Sequence, residues 1–223
     1  MTTVLITGCD MGIGREFAVQ SAAAGRQVIA TYRDIANRLP DHPGMRHFSL
    51  DVTSGEQFQV LKRSIGDEPI DLLVSNAGIG LDTGQLGRLD FSFVRQMLDV
   101  NTVGPLRLVE TFIDNVAASR ERRIAVVTSR MGSISLNLSG GHYGYRASKA
   151  GLNAIMRSLA IDLFPRGVTV VLLHPGWVNT AGGAEGAQVP VEESVAGMLK
   201  VIARLGNHET GQLFSFTGQP LAM

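Results

Sequence analysis

Two side chains in the C-terminal half of the chain have types and spacing suited to proton transfer. Tyr145 and Lys149 are four residues apart in a segment with helical spacing, so their side chains project from one face about one turn apart. A phenol ionises near pH ~10, and a nearby ammonium lowers that pKa by about 1–3, which makes Tyr145 a candidate acid–base. Taken alone, the pair also fits a solvated Tyr and Lys. Tyr143, the competing phenol, has Ala147 four residues later and so lacks the ammonium.

A glycine-rich turn follows the first predicted strand. Gly8, Gly12 and Gly14 stand where the apolar run Val4–Ile6 is followed by the helical pattern of Arg15–Ala24. Gly8 allows a tight turn, Gly12 lets the backbone approach a pyrophosphate, and Gly14 lets helix and strand pack closely. Free amides at the start of the helix attract anionic oxygens. A turn between a strand and a helix is the context that favours dinucleotide binding over a simple connection.

A hydroxyl and an amide complete the set of candidate chemical groups. Ser129 follows the predicted strand Ile124–Thr128, and ligands of parallel sheets gather at the carboxyl ends of the strands. A hydroxyl there can donate to a carbonyl oxygen. Ser133 is the alternative, but the strand end favours Ser129. Asn101 lies inside the helical stretch Phe93–Val116, where an interior Asn is mildly unfavourable and needs a reason.

Strands and helices must alternate to position these groups. The pattern predicts an α/β protein with a three-layer α/β/α Rossmann fold, whose doubly wound, mostly parallel sheet has about seven strands. No break in composition marks a second domain, so residues 1–223 are predicted to form a single domain. Gly182–Val189 is predicted to be a mobile loop. The predicted strands are Val4–Ile6, Val28–Ala30, Phe48–Leu50, Leu72–Ser75, Ile124–Thr128, Val168–Leu173 and Leu213–Phe216, and the helices are Arg15–Ala24, Phe93–Val116, Ala147–Leu163 and Val191–Leu205.

Composition argues against several classes of protein. In 223 residues, 20 Lys and Arg balance 20 Asp and Glu, so no basic excess points to nucleic acid as a partner. Cys9 is the single cysteine, which rules out an internal disulfide framework and fits the cytoplasm. The five histidines have no metal-ligand spacing, so no metal site is predicted. No signal peptide or membrane span is predicted either, since the apolar runs are too short.

These motifs together resemble the short-chain dehydrogenase/reductase family. Within that family, the segments 131–134, 143–146 and 174–178 are similar to the branch that contains C-factor-type and sniffer-type carbonyl reductases. The resemblance spans nearly the whole chain and rests on Thr7-Gly8-Cys9-Asp10-Met11-Gly12-Ile13-Gly14, Asp51-Val52, Asn76-Ala77-Gly78, Asn101, Ser129, Tyr145-Arg146-Ala147-Ser148-Lys149 and His174-Pro175-Gly176-Trp177-Val178-Asn179-Thr180.

The resemblance implies an NAD(P)-dependent oxidoreductase that transfers hydride between its cofactor and a carbonyl compound, or a secondary alcohol in reverse. Ser129 would orient the substrate carbonyl and Tyr145 would transfer the proton. Lys149 would bind the nicotinamide ribose and lower the pKa of Tyr145. Asn101 would support a water that connects Lys149 to solvent. An Asn that kinks its helix by bonding its own backbone is the alternative interpretation, and both can hold together.

The same resemblance implies which residues bind the cofactor. Asp51 is expected near the adenine, although it also fits a cap of the helix starting near Thr53. Asn76 fits a structural turn residue at least as well as a binding residue. His174 is expected to be structural, and Trp177 to pack at the loop base. The predicted cofactor-binding residues are Gly8, Asp10, Met11, Gly12, Ile13, Gly14, Arg33, Asp51, Val52, Asn76, Ala77, Gly78, Tyr145, Lys149, Pro175, Gly176, Val178 and Thr180.

The end of the second strand decides between NADP and NAD. An acid there would bind the ribose hydroxyls, whereas a cation accommodates a 2′-phosphate. Tyr32 stands where NAD-preferring members of the family usually carry Asp, and Arg33 stands where NADP-preferring members carry a basic residue, so NADP is favoured. Asp10 and Met11 occupy the positions where a second cation often lies. Asp34 would supply the acid if the strand ended two residues later, which keeps NAD open.

Partners and substrate follow only in outline. Substrate identity is expected to depend on the loop after Thr180 and on Gly80–Leu89, and a small carbonyl or alcohol compound is as far as the motifs reach. The resemblance implies a homodimer or homotetramer. A C-factor-like signalling protein, in which the dinucleotide is a ligand and turnover is incidental, is the alternative function. The presence of Asn101, Ser129, Tyr145 and Lys149 favours the enzyme.

Overall fold

Helices and strands alternate along the chain. The computed structural model describes residues 2–80, 84–179 and 186–223. In chain order, the elements are β1 (Thr3–Ile6), α1 (Gly12–Ala23), β2 (Gln27–Tyr32), β3 (Met45–Ser49), α2 (Gly55–Ile65), β4 (Leu72–Ser75), α3 (Phe91–Leu98), a π-helical turn (Asp99–Val103), α4 (Gly104–Ala117), β5 (Arg123–Val127), a 3₁₀ turn (Arg130–Gly132), α5 (Tyr143–Leu163), β6 (Thr169–His174), α6 (Val191–Arg204), β7 (Leu213–Ser215) and β8 (Pro220–Leu221).

The described strands form one sheet in the order β3-β2-β1-β4-β5-β6-β7-β8. The first seven pair in parallel, which confirms the predicted doubly wound α/β fold. The short β8 pairs antiparallel with β7 and adds an eighth strand to the predicted seven. The strand order reverses between β1 and β4, and the carboxyl ends of strands at such a switch point border the crevice where ligands bind.

Helices cover both faces of the sheet because successive strand residues point to opposite sides. On one face, Leu5 and Leu73 pack with residues of α2, α4 and α5 such as Phe58 and Phe112. On the other, Val4 and neighbouring strand residues pack with α1 and α6. Each large apolar side chain that is fully buried contributes about 1.5–3 kcal/mol, so both layers stabilise the sheet that carries the site.

Three elements differ in detail from the prediction. Helix α2, which was expected to start near Thr53, begins at Gly55, because Ser54 caps it by accepting from Gln57 N. Strand β2 extends to Tyr32, two residues beyond its predicted end. The predicted helix Phe93–Val116 is interrupted by the π-helical turn, after which α4 begins at Gly104 with Pro105 in its first turn. Proline has no N–H and so cannot donate to the carbonyl of Asn101, four residues earlier.

Candidate active site

The glycine turn between β1 and α1 packs against the end of β4. Gly8 has φ +74°, and a Cβ there would lie 2.8 Å from Ala77 Cα. A Cβ at Gly14 would lie 2.1 Å from the Gly8 carbonyl oxygen and 2.3 Å from Asn76 Nδ2. These distances leave no room for a side chain at either glycine. The turn is therefore held against the loop 76–78, at the switch point of the sheet.

Asn76 holds this turn in place. Its Nδ2 donates to the carbonyls of Thr7 at 3.0 Å and Gly8 at 3.2 Å. The Thr7 hydroxyl accepts from the backbone N–H groups of Asn76 and Ala77, each at 3.1 Å. The contacts of Asn76 are thus those of a structural residue, the interpretation that its sequence context favoured at least equally.

The first turn of α1 fits a pyrophosphate. No side chain caps the helix at Met11, and the first turn contains no acidic residue. Gly12 adopts φ +55°, and Ile13 packs partly against the apolar core. The amides of a helix start have no intrahelical acceptor and attract anions. The residues at this end of α1 therefore suit the diphosphate of a dinucleotide.

The end of β2 carries an exposed cation beside two acids. Arg33 directly follows β2 and is exposed, whereas Tyr32 is buried with its hydroxyl 3.0 Å from His47 Nδ1. Asp10 accepts from the backbone N–H groups of Arg33 at 3.1 Å and Asp34 at 2.9 Å. Asp34 itself caps a 3₁₀ turn by accepting from Ala36 N. The carboxylates of Asp10 and Asp34 are thus engaged with backbone amides, while the Arg33 side chain extends from the strand end.

Asp51 and Val52 shape the loop after β3. The Asp51 carboxylate accepts from Thr53 N at 2.8 Å and from the Thr53 hydroxyl at 2.7 Å. Asp51 therefore stabilises the turn that precedes α2, but the helix cap is Ser54. Val52 is buried, and a Cβ at Gly104 would lie 3.0 Å from its Cβ.

Tyr145 and Ser129 face each other across the end of β5. The two side chains share a hydrogen bond, and the Ser129 hydroxyl also accepts from Met131 N at 3.1 Å. Ser133, the alternative serine, lies 3.3 Å from the Ser135 hydroxyl and accepts from Leu136 N. The structure therefore brings Ser129 together with Tyr145, whereas the Ser133 hydroxyl forms hydrogen bonds within its own loop. Tyr143, the alternative phenol, is 43% exposed.

Lys149 is buried beneath this pair. Only 6% of the residue is exposed, and its Nζ donates to the Val127 carbonyl at 3.1 Å. Burial disfavours the charged ammonium and lowers the pKa of Lys149 to about 8. The ammonium lies 5.8 Å from the centre of the Tyr145 ring.

The pKa of Tyr145 moves in the direction opposite to the sequence-based prediction. Burial raises it, and the hydrogen bond to Ser129 opposes that rise. The prediction that Lys149 lowers the pKa of Tyr145 is therefore wrong in the net direction. Desolvation outweighs the favourable contact because the phenolate would be charged inside the protein. The contact that favours the phenolate of Tyr145 in this structure is the hydrogen bond to Ser129.

Asn101 connects three elements around Lys149. Its Nδ2 donates to the Ile79 carbonyl and the Ser148 hydroxyl, both at 3.1 Å, and its Oδ1 accepts from Ile79 N at 2.8 Å. A Cβ at Gly78 would lie 3.1 Å from Asn101 Oδ1 and 3.9 Å from Lys149 Nζ. The helix is interrupted here by the π-helical turn, but the Asn101 side chain bonds Ile79 and Ser148 and not its own backbone. The predicted role of Asn101 in a water relay stays a prediction.

Sequence reasoning missed the bridging role of Ser148. Its hydroxyl accepts from Asn101 and donates to the Tyr145 carbonyl at 2.8 Å. Thr102 donates to the Ser148 carbonyl, also at 2.8 Å. The available signal was a serine next to Lys149 on the face of α5 that turns inward. The π-helical turn and α5 are thus joined by both side-chain and backbone groups.

The loop after β6 packs against α6 and the residue that follows β7. Gly176 has φ +87°, and a Cβ there would lie 3.0 Å from the Phe216 ring. The Pro175 carbonyl accepts from the Ser194 hydroxyl at 2.6 Å, and Val178 is buried and bridges to Val189. The predicted packing of Trp177 is wrong in extent, since 55% of that residue is exposed.

The structure bears on one of two further predictions for this loop. His174 is largely buried, and burial together with the charge of Arg130 lowers its pKa to about 4, which fits a structural residue. Thr180 and residues 182–185 of the predicted mobile loop lie outside the described residues.

Within the described ranges, no helix is long and apolar enough to cross a membrane. The same residues contain no group of three or more His, Cys, Asp or Glu side chains that could hold a metal ion.

Comparison with known proteins places this geometry in a family. The model of the short chain dehydrogenase family matches residues 2–189. The chain is 40% identical to the C-signal of Myxococcus xanthus over 174 residues, which cover 78% of this chain and 97% of that protein. It is 33% identical over 223 residues to 1-hydroxy-2-glutathionyl-2-methyl-3-butene dehydrogenase of Rhodococcus sp. (strain AD45), with 95% of each chain covered.

Solved structures agree with the sequence relatives. The carbonyl reductase Sniffer of D. melanogaster superposes with a TM-score of 0.91 at 28% identity, over 100% of both chains. The NADPH-bound carbonyl reductase from chicken fatty liver superposes with a TM-score of 0.89 at 29% identity, over 100% of this chain and 99% of the other. The glycine turn, the paired Ser129 and Tyr145, and these matches together show that the chain belongs to the short-chain dehydrogenase/reductase family and is an NAD(P)-dependent oxidoreductase.

Proposed function

We propose that this protein is an NADP(H)-dependent reductase of carbonyl compounds, with a secondary alcohol as the substrate of the reverse reaction. The observation that carries the proposal is the hydrogen bond between Ser129 and Tyr145, with Lys149 buried beneath them. These groups lie at the carboxyl ends of the strands, where α/β proteins bind their ligands.

The cofactor would occupy the crevice beside the glycine turn. The amides of Gly12 and Ile13 at the start of α1 would hold its diphosphate, since no side chain caps this end of the helix. Loop 76–78 and the Pro175–Gly176 turn would border it. When bound, the nicotinamide supplies the hydride in carbonyl reduction and accepts it in the reverse reaction.

The protein's own side chains would handle the substrate oxygen and the proton. The Ser129 hydroxyl would donate to the substrate carbonyl and so orient it. Tyr145 would transfer its phenolic proton to the same oxygen. Lys149, with its pKa lowered to about 8, can exchange a proton near neutral pH and would restore the proton of Tyr145. Asn101 would hold the π-helical turn and Ile79 beside Lys149.

NADP preference would rest on Arg33. The guanidinium is exposed directly after β2, and a bidentate contact with a 2′-phosphate suits its geometry. Asp34 remains the basis for an NAD preference, since β2 ends two residues beyond its predicted end, although the Asp34 carboxylate caps a turn. The chicken fatty liver structure that this chain resembles is described as NADPH-bound, which supports NADP.

Replacement of the two nearby phenols tests the catalytic assignment. Tyr145→Phe should abolish NADPH-dependent reduction of aldehydes, ketones and quinones while leaving NADP affinity nearly unchanged, because the phenol acts on the reacting oxygen. Tyr143→Phe is the matched control and should retain activity, since Tyr143 is exposed. Activity that survives in the Tyr145 variant and disappears in the Tyr143 variant would refute the assignment.

A signalling protein is the second candidate function, favoured by the 40% identity to the C-signal of Myxococcus xanthus. In that case, cellular output should follow dinucleotide occupancy and not turnover. Lys149→Met separates the two, because it removes the ammonium while roughly keeping the length of the side chain. Normal output in cells at saturating NADP, without reductase activity, would favour signalling; loss of output together with turnover would favour the enzyme.

Expectations about the whole protein belong to the same proposal. Residues 1–223 would act as one dinucleotide-binding domain. The protein would work in the cytoplasm as a homodimer or homotetramer, with a small-molecule substrate and no nucleic acid or membrane partner. Sedimentation of the purified protein tests its oligomeric state. Fractionation of cells tests its location.

A further inference from the structure

A buried hydrogen bond lies directly behind Ser129. The Thr128 hydroxyl donates to Asn153 Oδ1 at 2.7 Å. Thr128 and Asn153 are only 2% and 3% exposed, so neither side chain can contact a substrate from solvent. The proposed reaction assigns them no part.

The bond joins the two elements that carry the candidate catalytic groups. Thr128 immediately precedes Ser129, and its N–H donates to the Leu173 carbonyl of β6 at 2.8 Å. Asn153 lies four residues after Lys149 in α5 and eight after Tyr145. Residues at this spacing share one face of a helix. The Thr128–Asn153 bond therefore ties the end of β5 to the face of α5 from which Tyr145 and Lys149 project.

The turn after Ser129 is seated on the same part of α5. A Cβ at Gly132 would lie 2.7 Å from the Lys149 carbonyl carbon and 2.9 Å from Asn153 Nδ2. Asn153 thus lies beside the chain on both sides of Ser129: it is hydrogen-bonded to Thr128 before it and leaves no room for a side chain at Gly132 after it. Movement of Asn153 would shift the backbone that carries the Ser129 hydroxyl.

The side-chain amide of Asn153 also has a buried N–H donor that does not stabilise the fold. Its Nδ2 is buried and has no hydrogen-bond acceptor among the described residues. An unsatisfied buried donor is unfavourable. The amide is therefore better explained by the position it imposes on Thr128 and Gly132 than by a gain in folding free energy.

We propose that Thr128 and Asn153 are positioning residues that set the distance and angle between the hydroxyls of Ser129 and Tyr145. The inference rests on the proposed reductase function. The Ser129 hydrogen bond is the contact that opposes the rise in the pKa of Tyr145 caused by burial. Misplacing Ser129 therefore weakens substrate orientation and raises the pKa of the proton donor together.

Steady-state kinetics of Thr128→Val and Asn153→Ala test the inference. Valine keeps the branched shape of threonine but cannot donate. Each variant should lower kcat about 10- to 100-fold, the scale expected of small misplacements of reacting groups, and should leave the Kd for NADP within about twofold. Thr128→Ser keeps the hydroxyl and should restore most of kcat. The double variant should be little worse than the more damaging single one, because both remove the same bond.

A pH profile provides a readout that a merely structural role would not move. The apparent pKa assigned to Tyr145 in the kcat profile should be higher in Thr128→Val than in the wild type, and close to wild type in Thr128→Ser. Thr169→Val is the matched control, because Thr169 is also buried and donates to an asparagine, Asn207, at the opposite end of the sheet. It should lower stability without altering kcat or the pH profile.

The outcomes separate this inference from the proposed function. If Tyr145→Phe abolishes reduction while Thr128→Val and Asn153→Ala lower kcat no more than Thr169→Val does, the positioning role is overturned and the function stands. If Tyr145→Phe retains full activity, the proposed function fails first. Should Thr128→Val fail to fold, the kcat and pH profile of Asn153→Ala decide, and an unchanged profile refutes the inference.

Discussion

Replacing Lys149 by methionine should make the protein without added dinucleotide more stable while removing its activity. The fold places Lys149 where only 6% of it is exposed, and burial lowers its pKa from 10.5 to about 8. Near neutral pH the protein therefore holds a buried ammonium that the unfolded chain would hydrate. A methionine of similar length keeps the packing and removes that charge.

The magnitude follows from the pKa and from one lost hydrogen bond. Each pKa unit corresponds to about 1.4 kcal/mol, so the shift from 10.5 to about 8 costs the folded state about 3 kcal/mol at pH 7. Losing the hydrogen bond from Nζ to the Val127 carbonyl offsets about 1 kcal/mol of the gain. Lys149→Met should therefore raise the free energy of unfolding by about 2 kcal/mol and the Tm by about 4–8 °C.

The direction of the pKa shift determines how the stability difference between the two proteins changes with pH. A lysine whose pKa is lowered on folding leaves the unfolded chain with more bound protons between pH 8 and 10.5. The free energy of unfolding of the wild type therefore rises over that range relative to the variant. The advantage of Lys149→Met should be full below pH 8 and should shrink as the pH approaches 10.5.

Urea denaturation at several values of pH measures this directly. Lys200→Met is the control, since Lys200 is exposed on α6, and its stability difference from the wild type should stay within about 0.5 kcal/mol. The reasoning is refuted if Lys149→Met is less stable than the wild type at pH 7, or if its advantage does not change between pH 7 and 10.5. The first result would mean that Lys149 stabilises the fold, and the second would mean that its pKa does not change on folding.

Three further predictions follow from other parts of the site. Arg33→Ala should weaken NADP binding much more than NAD binding, as measured by isothermal titration; equal losses would argue against a 2′-phosphate contact. Gly14→Ala should abolish binding of both dinucleotides and lower the Tm, because a Cβ there would lie 2.1 Å from the Gly8 carbonyl oxygen; normal affinity for either would contradict the packing argument. The wild type should lose free energy of unfolding on acidification from pH 6.5 to about 4, because the unfolded chain binds a proton at His174 that the folded protein does not. His174→Leu should lessen that loss by about 3 kcal/mol, and parallel stability curves for the two proteins would refute the prediction.

Local sequence patterns predicted much of the fold. The alternation of apolar runs and helical spacing predicted the parallel sheet, because strands covered on both faces require continuous apolar residues. The glycines at 8 and 14 predicted a turn too tight for side chains, and the distances around them agree. The break at Asn101 was also readable in principle, since Pro105 lacks the N–H that would pair with the carbonyl four residues back.

The chemical state of the candidate site depended on contacts between distant segments. Spacing in α5 predicted that Tyr145 and Lys149 share a face, but burial, which no spacing reveals, raises the pKa of Tyr145 and lowers that of Lys149. The strand end already favoured Ser129 over Ser133, but only the tertiary structure brings Ser129 into a hydrogen bond with Tyr145. Side-chain types and their periodicity determine which groups are available, whereas desolvation and hydrogen bonds are set by what folds around them. Only the tertiary structure places Thr128 and Asn153 together, 25 residues apart in the chain.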